Sequence, residues 1–551
     1  MRSSRPVLRL LSVAVLLVSG WLLPEHVSGQ VRIPPAALAE VAELEEVLRV
    51  GSELEQQRRW GEALTHYEKA RREFPGRRQL EERLSIARFH YEIARRYVDS
   101  SFLDTVRDMD RSSALDLYGE VLLKIHAHHV QRPDWSQLLR RGVQSLEVAF
   151  AEPAFVKQHR LEVSETALAE TMSSLRRHID AYPAASRHET RQRAMELADA
   201  TARRMQVPAN AVMLEFCCAA VSSLDDYSAF LTGNQLDEVL SQIEGNFVGL
   251  GIELRAEDQA LQIVSVIRGG PAAEAGIVAG ERIIEVDGNS TRDVSTDAAA
   301  DMLKGTEGSS VNLVVLAADG THRRLRVRRR RVDVPSIEKA SIVDADYGIA
   351  YLHVASFQKT TNRDIDAALW RLHQQGMRSL IIDVRGNPGG LLTASVEVAD
   401  KFVSQGPIVS TRGRSSGEDF DYKAHRVGTW RVPLIVLVDG ESASASEIFA
   451  AAIRDHRRGT IVGSRSYGKG SVQGIFPLTI TNAGVRLTTA KFYSPSGLPI
   501  SGRGVEPDVE VERSSRRVAA KPVDGELPVL EEQDDTLTAA LQVARRQLGQ
   551  R

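Results

Sequence analysis

The chain has 551 residues, of which 42% are hydrophobic and 26% charged, with a formal net charge of −3. That length predicts several domains with ample core, the composition is that of soluble globular protein, and the near-neutral balance gives no electrostatic preference for nucleic acid. Its two cysteines, Cys217 and Cys218, are adjacent. Neighbours seldom pair, and two thiols make neither a disulfide framework nor a zinc site, so packing within the apolar stretch Ala211–Val221 is expected.

In chain order, Arg2, Arg5 and Arg9 precede an apolar run, Leu10–Leu23, and Val27-Ser28-Gly29 then offers small residues before Gln30. This is the three-part layout of a secretory signal over residues 1–29. The run is short of the about 20 apolar residues a spanning helix needs. An uncleaved anchor lengthened by Val7 and Leu8 is the alternative. Both readings export the body to the periplasm or the exterior.

Residues 30–221 read as a helical region. Gly51, Ala63, Tyr67, Ala70 and Pro75 resemble one tetratricopeptide repeat, and Ala114 and Tyr118 echo part of it, short of the three or so repeats a solenoid needs. A partner-binding domain and a plain helical scaffold both fit. Residues 222–244, opening with SSLDDYSAFLT, form a junction.

From Gly245 the period changes to short strands at Val248–Arg255, Leu261–Ile267, Arg282–Val286, Ser310–Leu316 and Arg323–Val327, with a helix at Ala298–Leu303. GLGIEL, GGPAAEAGI and GERIIEVDG resemble a PDZ domain, assigned to residues 245–331. The resemblance implies that Gly249, Leu250 and Gly251 present N–H groups to a peptide's terminal carboxylate. Ile252 would line the side-chain pocket, and the peptide would pair as an added strand. Glu281 stands where that family often has Asp. Seven arginines fall within Arg323–Arg331. A strand with Leu325 and Val327 inward, running on into an exposed linker, fits them better than an anion-binding patch.

Residues 332–513 alternate apolar strands with helices at Arg363–Gly376, Leu391–Val403 and Ala445–Asp455, an α/β layout whose strands are buried on both faces. A tail follows over 514–551, polar at first and ending in an amphipathic helix at Asp535–Gln550. Three stretches of this α/β unit bear on chemistry. DGESASASEIFAAAIRD, Asp439–Asp455, follows the apolar run Val432–Val438, so a serine at the helix's first turn would lie beside free N–H groups. Ser444-x-x-Glu447 equally fits a capping box. DVRGNPGGL, Asp383–Leu391, lets backbone approach a ligand closely. In SRSYGKGSVQG, Ser464–Gly474, an extended chain would put Lys469, Ser471 and Gln473 on one face. Gly468 and Gly470 would let another element press close. A lysine acts as a base only once desolvation favours its neutral form, and an amide can orient it without holding it charged.

DVRGNPGGLL, SASASEIFAAAIRD, GSRSYGKGSVQ and LTTAKFYSPSG…GVEPDVEV together resemble the carboxyl-terminal processing peptidases, the tail-specific proteases of serine peptidase family S41. The resemblance covers roughly residues 222–513. It implies a multidomain fold: a helical region, a PDZ domain and an α/β serine peptidase core of the ClpP/crotonase-like type. It also implies an exported endopeptidase with Ser444 as nucleophile, Lys469 as general base 25 positions on, and Gln473 as the lysine's partner. The oxyanion hole falls to the N–H groups of Gly390 and Ala445, with Glu447 as support or cap. Substrates are proteins with apolar C-terminal tails, and no metal or cofactor is needed. Two other classes stand against this: a catalytically silent PDZ and helical-repeat scaffold, and a crotonase-like thioester enzyme, which would not need the Ser444/Lys469 pair.

Overall fold

The computed structural model describes residues 35–257, 260–292, 302–317, 319–425, 429–511, 517–519, 530–532 and 534–549. The signal segment 1–29, most of the helix expected at Ala298–Leu303 and most of the polar tail lie outside the described residues. Among those described, no helix is long and apolar enough to cross a membrane.

Two units divide the chain, Met1–Arg88 and Phe89–Arg551. In the first, helices Pro35–Gln56 and Trp60–Glu73 lie against each other, with Ala63, Tyr67, Ala70 and Phe74 in the core. Gly51 is what lets them meet: a Cβ there would stand 2.3 Å from the Tyr67 ring.

The second unit begins with helices stacked around Ala209–Ser222, whose residues are buried continuously from Ala211. The expected packing role of the cysteines holds, since both thiols are free and buried, and burial raises the Cys218 thiol to about 12. Asp110, Asp134, Ser164 and Ser186 each cap a helix by accepting an N–H of its first turn. The junction then does more than connect. Ala229–Leu231 pairs antiparallel with Gly484–Tyr493, and Gly233–Glu244 starts on a Thr232/Gln235 capping box.

In the PDZ region the expected strand Val248–Arg255 is broken in two. Asn246–Gly249 pairs with Arg330–Asp333, while Ile252–Glu257 is the edge of the sheet completed by Ala260–Val266, Arg282–Val286, Ser310–Leu316 and His322–Arg328. Leu250 and Gly251 make the break, Gly251 at φ 76°. The arginine run departs from the expected exposed linker. Arg330–Asp333 is a strand, and Arg329 is buried with its guanidinium on the carbonyls of Leu303 and Ser310 at 2.8 and 3.2 Å. Arg323 forks onto Glu281 at 2.5 and 2.7 Å, so the carboxylate at that position has a local structural partner. Carbonyls and carboxylates of the domain itself absorb much of the charge.

Two sheets build the peptidase region among the described residues. One has six strands in the order Ile337–Asp344, Ile349–Val354, Ser379–Asp383, Leu434–Val438, Thr460–Gly463 and Val509–Glu510, parallel except for the first pair. Helices Thr361–Gln374, Leu392–Asp400 and Ala445–Asp455 cover one face, and Asp535–Gly549 packs Ala540 and Ala544 onto Ile349, Ile381, Ile435, Leu437 and Val462 on the other. Burial on both faces explains the unbroken apolar strands, and it gives the terminal amphipathic helix its place. The second sheet is antiparallel. Gly484–Tyr493 lies beside Ala229–Leu231, Gly406–Gly413 and Ser471–Pro477, and Phe420–Ala424 pairs with Gly406–Gly413 at the edge.

Candidate active site

The strand Leu434–Val438 is buried throughout and delivers the chain to Asp439. Asp439 Oδ1 accepts the N–H groups of Gly386, Glu441 and Ser442, each at 3.0 Å, which closes the turn and pins it to the glycine loop. The three serines that follow are not equivalent. Ser442 and Ser446 are fully buried, and their hydroxyls donate to the carbonyls of Val384 at 2.8 Å and Asn387 at 3.0 Å. Ser444 is partly exposed, with φ 56° and ψ −112°, a region an L-residue occupies only under strain. It is also the N-cap of Ala445–Asp455, so the capping box and the sharp strand-to-helix turn fall on one residue.

Asn387 joins the glycine loop to this turn. Its Nδ2 donates to Val354 at 2.8 Å, its Oδ1 accepts Gly389 N–H at 2.8 Å, and its carbonyl accepts Ala443 N–H at 3.0 Å. Gly389 and Gly390 stand at φ 109° and 131°. A Cβ on Gly389 would lie 2.8 Å from Ser444 Cβ and 2.9 Å from Ala445 N, and one on Gly390 would lie 2.0 Å from the Phe357 carbonyl oxygen. Backbone therefore runs against the serine where no side chain fits. Ala445 is the first residue of its helix, where N–H groups have no intrahelical acceptor. Neither its N–H nor that of Gly390 has a backbone acceptor among the described residues.

Glu447 ties this turn to the lysine loop. Fully buried, it accepts Ser466 Oγ and Gly468 N–H on Oε1, both at 2.6 Å, and Ser444 N–H at 2.8 Å and Lys469 N–H at 2.9 Å on Oε2. One carboxylate oxygen thus holds the backbones of the candidate nucleophile and base together. Burial pushes the Glu447 carboxyl up, against the pull of those four bonds. The expected close approach at the flanking glycines is present: a Cβ on Gly470 would fall 2.2 Å from Ser501 N, and Gly468 stands at φ 90°.

Lys469 is held below a lysine's ordinary pKa by burial first and by Arg486 second, with Glu447 pulling the other way. Its ammonium lies 5.0 Å from the centroid of the Tyr227 ring. Among the described residues no hydrogen bond joins it to Ser444 Oγ or to Gln473. The expected Lys469–Gln473 contact is replaced by one from Gln473 Nε2 to Ser471 Oγ at 2.8 Å. The cause is local. Lys469 precedes the strand Ser471–Pro477 and stands outside the alternation that puts Ser471 and Gln473 on one face. The register shift beside Val472 places its extra residue, Thr489, in the partner strand Gly484–Tyr493.

Sequence reasoning missed Asn387, Asp439, Tyr227 and Arg486. The first two lie inside stretches it singled out, but nothing in their spacing marks which polar groups turn inward. Arg486 reaches the lysine through the pairing of Gly484–Tyr493 with Ser471–Pro477, and Tyr227 through that of Ala229–Leu231 with Gly484–Tyr493.

In the PDZ region, Leu250 is buried in the domain core and its carbonyl accepts Ala272 N–H at 2.9 Å, while Gly251's carbonyl accepts Ile267 N–H at 2.8 Å. Those bonds fix the loop Gly249–Gly251. Ile252, half-buried, begins the edge strand.

Against known proteins, the family profile described as Peptidase family S41 matches residues 348–511, and a PDZ domain profile matches residues 262–317. The carboxy-terminal-processing protease of Bartonella bacilliformis is 38% identical over 298 residues, 53% of this chain and 67% of that protein. The carboxyl-terminal-processing protease of a Synechocystis species is 34% identical over 270 residues, 48% of this chain and 62% of that protein. The solved photosystem II D1 C-terminal processing protease is 26% identical with a TM-score of 0.35, over 70% of this chain and 94% of that one.

Proposed function

Because the chain belongs to the S41 peptidase family, which includes carboxyl-terminal processing proteases, we propose that it is a serine endopeptidase working through Ser444 and Lys469. The observation that carries this reading is the Glu447 carboxylate, which binds the N–H groups of both residues through one oxygen. The strained backbone of Ser444 and the desolvation of Lys469 support it, since the first presents a hydroxyl and the second favours a neutral amine.

In this mechanism neutral Lys469 takes the proton of Ser444 as its oxygen bonds to a peptide carbonyl carbon. The N–H groups of Gly390 and Ala445 stabilise the resulting oxyanion, a contribution of about 2.7–4 kcal/mol per donor in a comparable site. Collapse breaks the C–N bond and the lysine ammonium protonates the leaving amine. Water, deprotonated by the lysine in turn, then cleaves the acyl-enzyme. The Ser444–Lys469 hydrogen bond forms as substrate fills the site, as catalytic bonds often do. Gln473, whose Nε2 donates to Ser471, has its amide oxygen to accept from the lysine amine and orient it.

The PDZ region supplies selectivity. Its loop Gly249–Gly251 binds the terminal carboxylate of a substrate with an apolar tail, the edge strand from Ile252 takes the tail as an added strand, and capture raises the local concentration of scissile bonds. Residues 1–29 export the enzyme.

The test compares the parent with Ser444→Ala, Lys469→Ala and Lys469→Arg on an unfolded protein ending in an apolar tail. All three variants are expected to be inactive, the last because a guanidinium stays protonated. Retained cleavage in the two alanine variants overturns the mechanism.

A further inference from the structure

The junction between the helical region and the first sheet is held more tightly than a connection requires. Asp225 Oδ1 accepts the N–H groups of Tyr227 and Ser228, both at 2.8 Å, and the Thr488 hydroxyl at 3.0 Å. Its Oδ2 meets His129 Nε2 at 2.9 Å and the Ser228 hydroxyl at 3.1 Å. Burial alone would raise the Asp225 carboxyl, but these partners hold it down at about 2. The carbonyl of Tyr227 in turn accepts Arg486 Nε at 2.8 Å. Main chain on both sides of one aromatic residue is thereby fixed, and its ring is the surface that the Lys469 ammonium faces, 5.0 Å from centroid to nitrogen.

A ring face attracts an ammonium, more strongly when both are desolvated, and gives a neutral amine little. A lysine also carries a long stem with many rotamers, and confining it costs entropy that a flat wall offsets. Two other groups bear on this amine directly, and Asp225 and Glu92 act on one of them, Arg486. Arg486, from the strand Gly484–Tyr493, disfavours its charge, Glu447, from the helix Ala445–Asp455, favours it, and Asp225, from the junction, faces Arg486. Glu447 spends its oxygens on backbone N–H groups and a serine hydroxyl, which leaves the ring to receive the ammonium.

We propose that Tyr227 is a positioning residue for Lys469: its ring face receives the ammonium between proton transfers and aims the side chain, while Asp225 fixes the ring with help from His129 of the helical region. The inference rests on Lys469 being the general base. It gives the helical region a part in the reaction, because His129, at the end of Arg111–His128, completes the clip that sets the ring.

The experiment measures kcat and KM for the full chain from neutral to alkaline pH with the same unfolded substrate. Tyr227→Phe keeps the ring and is expected to lose far less kcat than Tyr227→Leu, with the acid limb of the parent. Tyr227→Leu removes the π face and is expected to lower kcat about tenfold, the scale of one desolvated cation–π contact, with KM unchanged. Its acid limb moves to lower pH, because the ammonium has lost a stabilising neighbour. Thr488→Val, which deletes one bond to Asp225 and leaves the ring in place, is expected to lower kcat by less, again with KM unchanged. The inference is overturned if folded Tyr227→Leu keeps the parent kcat, if its acid limb stays put, or if Tyr227→Phe is equally damaged. Should Tyr227→Leu fail to fold, parent kcat in Thr488→Val overturns it. Ser444→Ala and Lys469→Ala run alongside: if they still cleave, the dyad itself is wrong, whereas if they are dead and the Tyr227 variants behave as the parent, only this inference fails.

Discussion

Replacing Glu447 separates a helix cap from a catalytic brace. Four donors converge on its carboxylate: the Ser466 hydroxyl and the N–H groups of Gly468, Ser444 and Lys469. Glu447→Ala leaves all four inside the fold without an acceptor. At about 1–3 kcal/mol for each unsatisfied buried donor, the loss is roughly 4–12 kcal/mol, and water entering the cavity returns it toward the lower end. Glu447→Gln is milder. Its oxygen can stay on the Ser444 and Lys469 N–H groups while its NH2 turns to Ser466, whose hydroxyl can accept. Gly468 N–H and the Ser466 O–H, whose oxygen already accepts Val505 N–H, are then both left without an acceptor, a loss of about 2–6 kcal/mol. Urea unfolding and kcat/KM on the unfolded substrate read both effects. The expected order is parent, then the glutamine variant with reduced stability and measurable activity, then the alanine variant with activity lost beyond the drop in folded fraction. Parent-like kcat in folded Glu447→Ala would refute the idea that this carboxylate holds serine and lysine together.

Other expectations are as direct. Gly390→Ala must accommodate a Cβ 2.0 Å from a carbonyl oxygen at φ 131°, so thermal unfolding should show a loss of about 3 kcal/mol or more and cleavage should vanish. Because Lys469 acts when neutral and its pKa is lowered, kcat/KM should rise with pH through a limb below a lysine's usual range; a limb within that range would contradict a desolvated base. Ile252→Asp places a carboxylate beside the terminal-carboxylate loop, so it should raise KM for a substrate with an apolar tail and leave a tail-less one unaffected. Equal effects on both would remove the PDZ region from substrate capture.

The layout of the chain was legible because periodicity and glycine placement act locally: the apolar strands, the helix Ala445–Asp455 and the PDZ strands after the first read off within a few residues at each end. Candidate-site residues were harder. Spacing could not choose among Ser442, Ser444 and Ser446; what separates them is that the first and third hydroxyls are spent on carbonyls of a loop almost 60 positions earlier. The Gln473 expectation failed because the strand begins only at Ser471, so Lys469 lies ahead of the alternation that brings Gln473 to Ser471. Tyr227 was passed over as part of a junction because its meaning depends on strand pairing with a segment about 260 positions away. The arginine run misled in the other direction, since its charge density concealed a buried guanidinium and a strand.

The central claim, that Ser444 is made nucleophilic by Lys469, is tested most directly by covalent labelling with a fluorophosphonate followed by peptide mass mapping. One adduct is expected, on Ser444, formed faster as pH rises and absent in Lys469→Ala. An adduct on Ser442, Ser446 or any other residue, or labelling of Ser444 at the parent rate without the lysine, would contradict it.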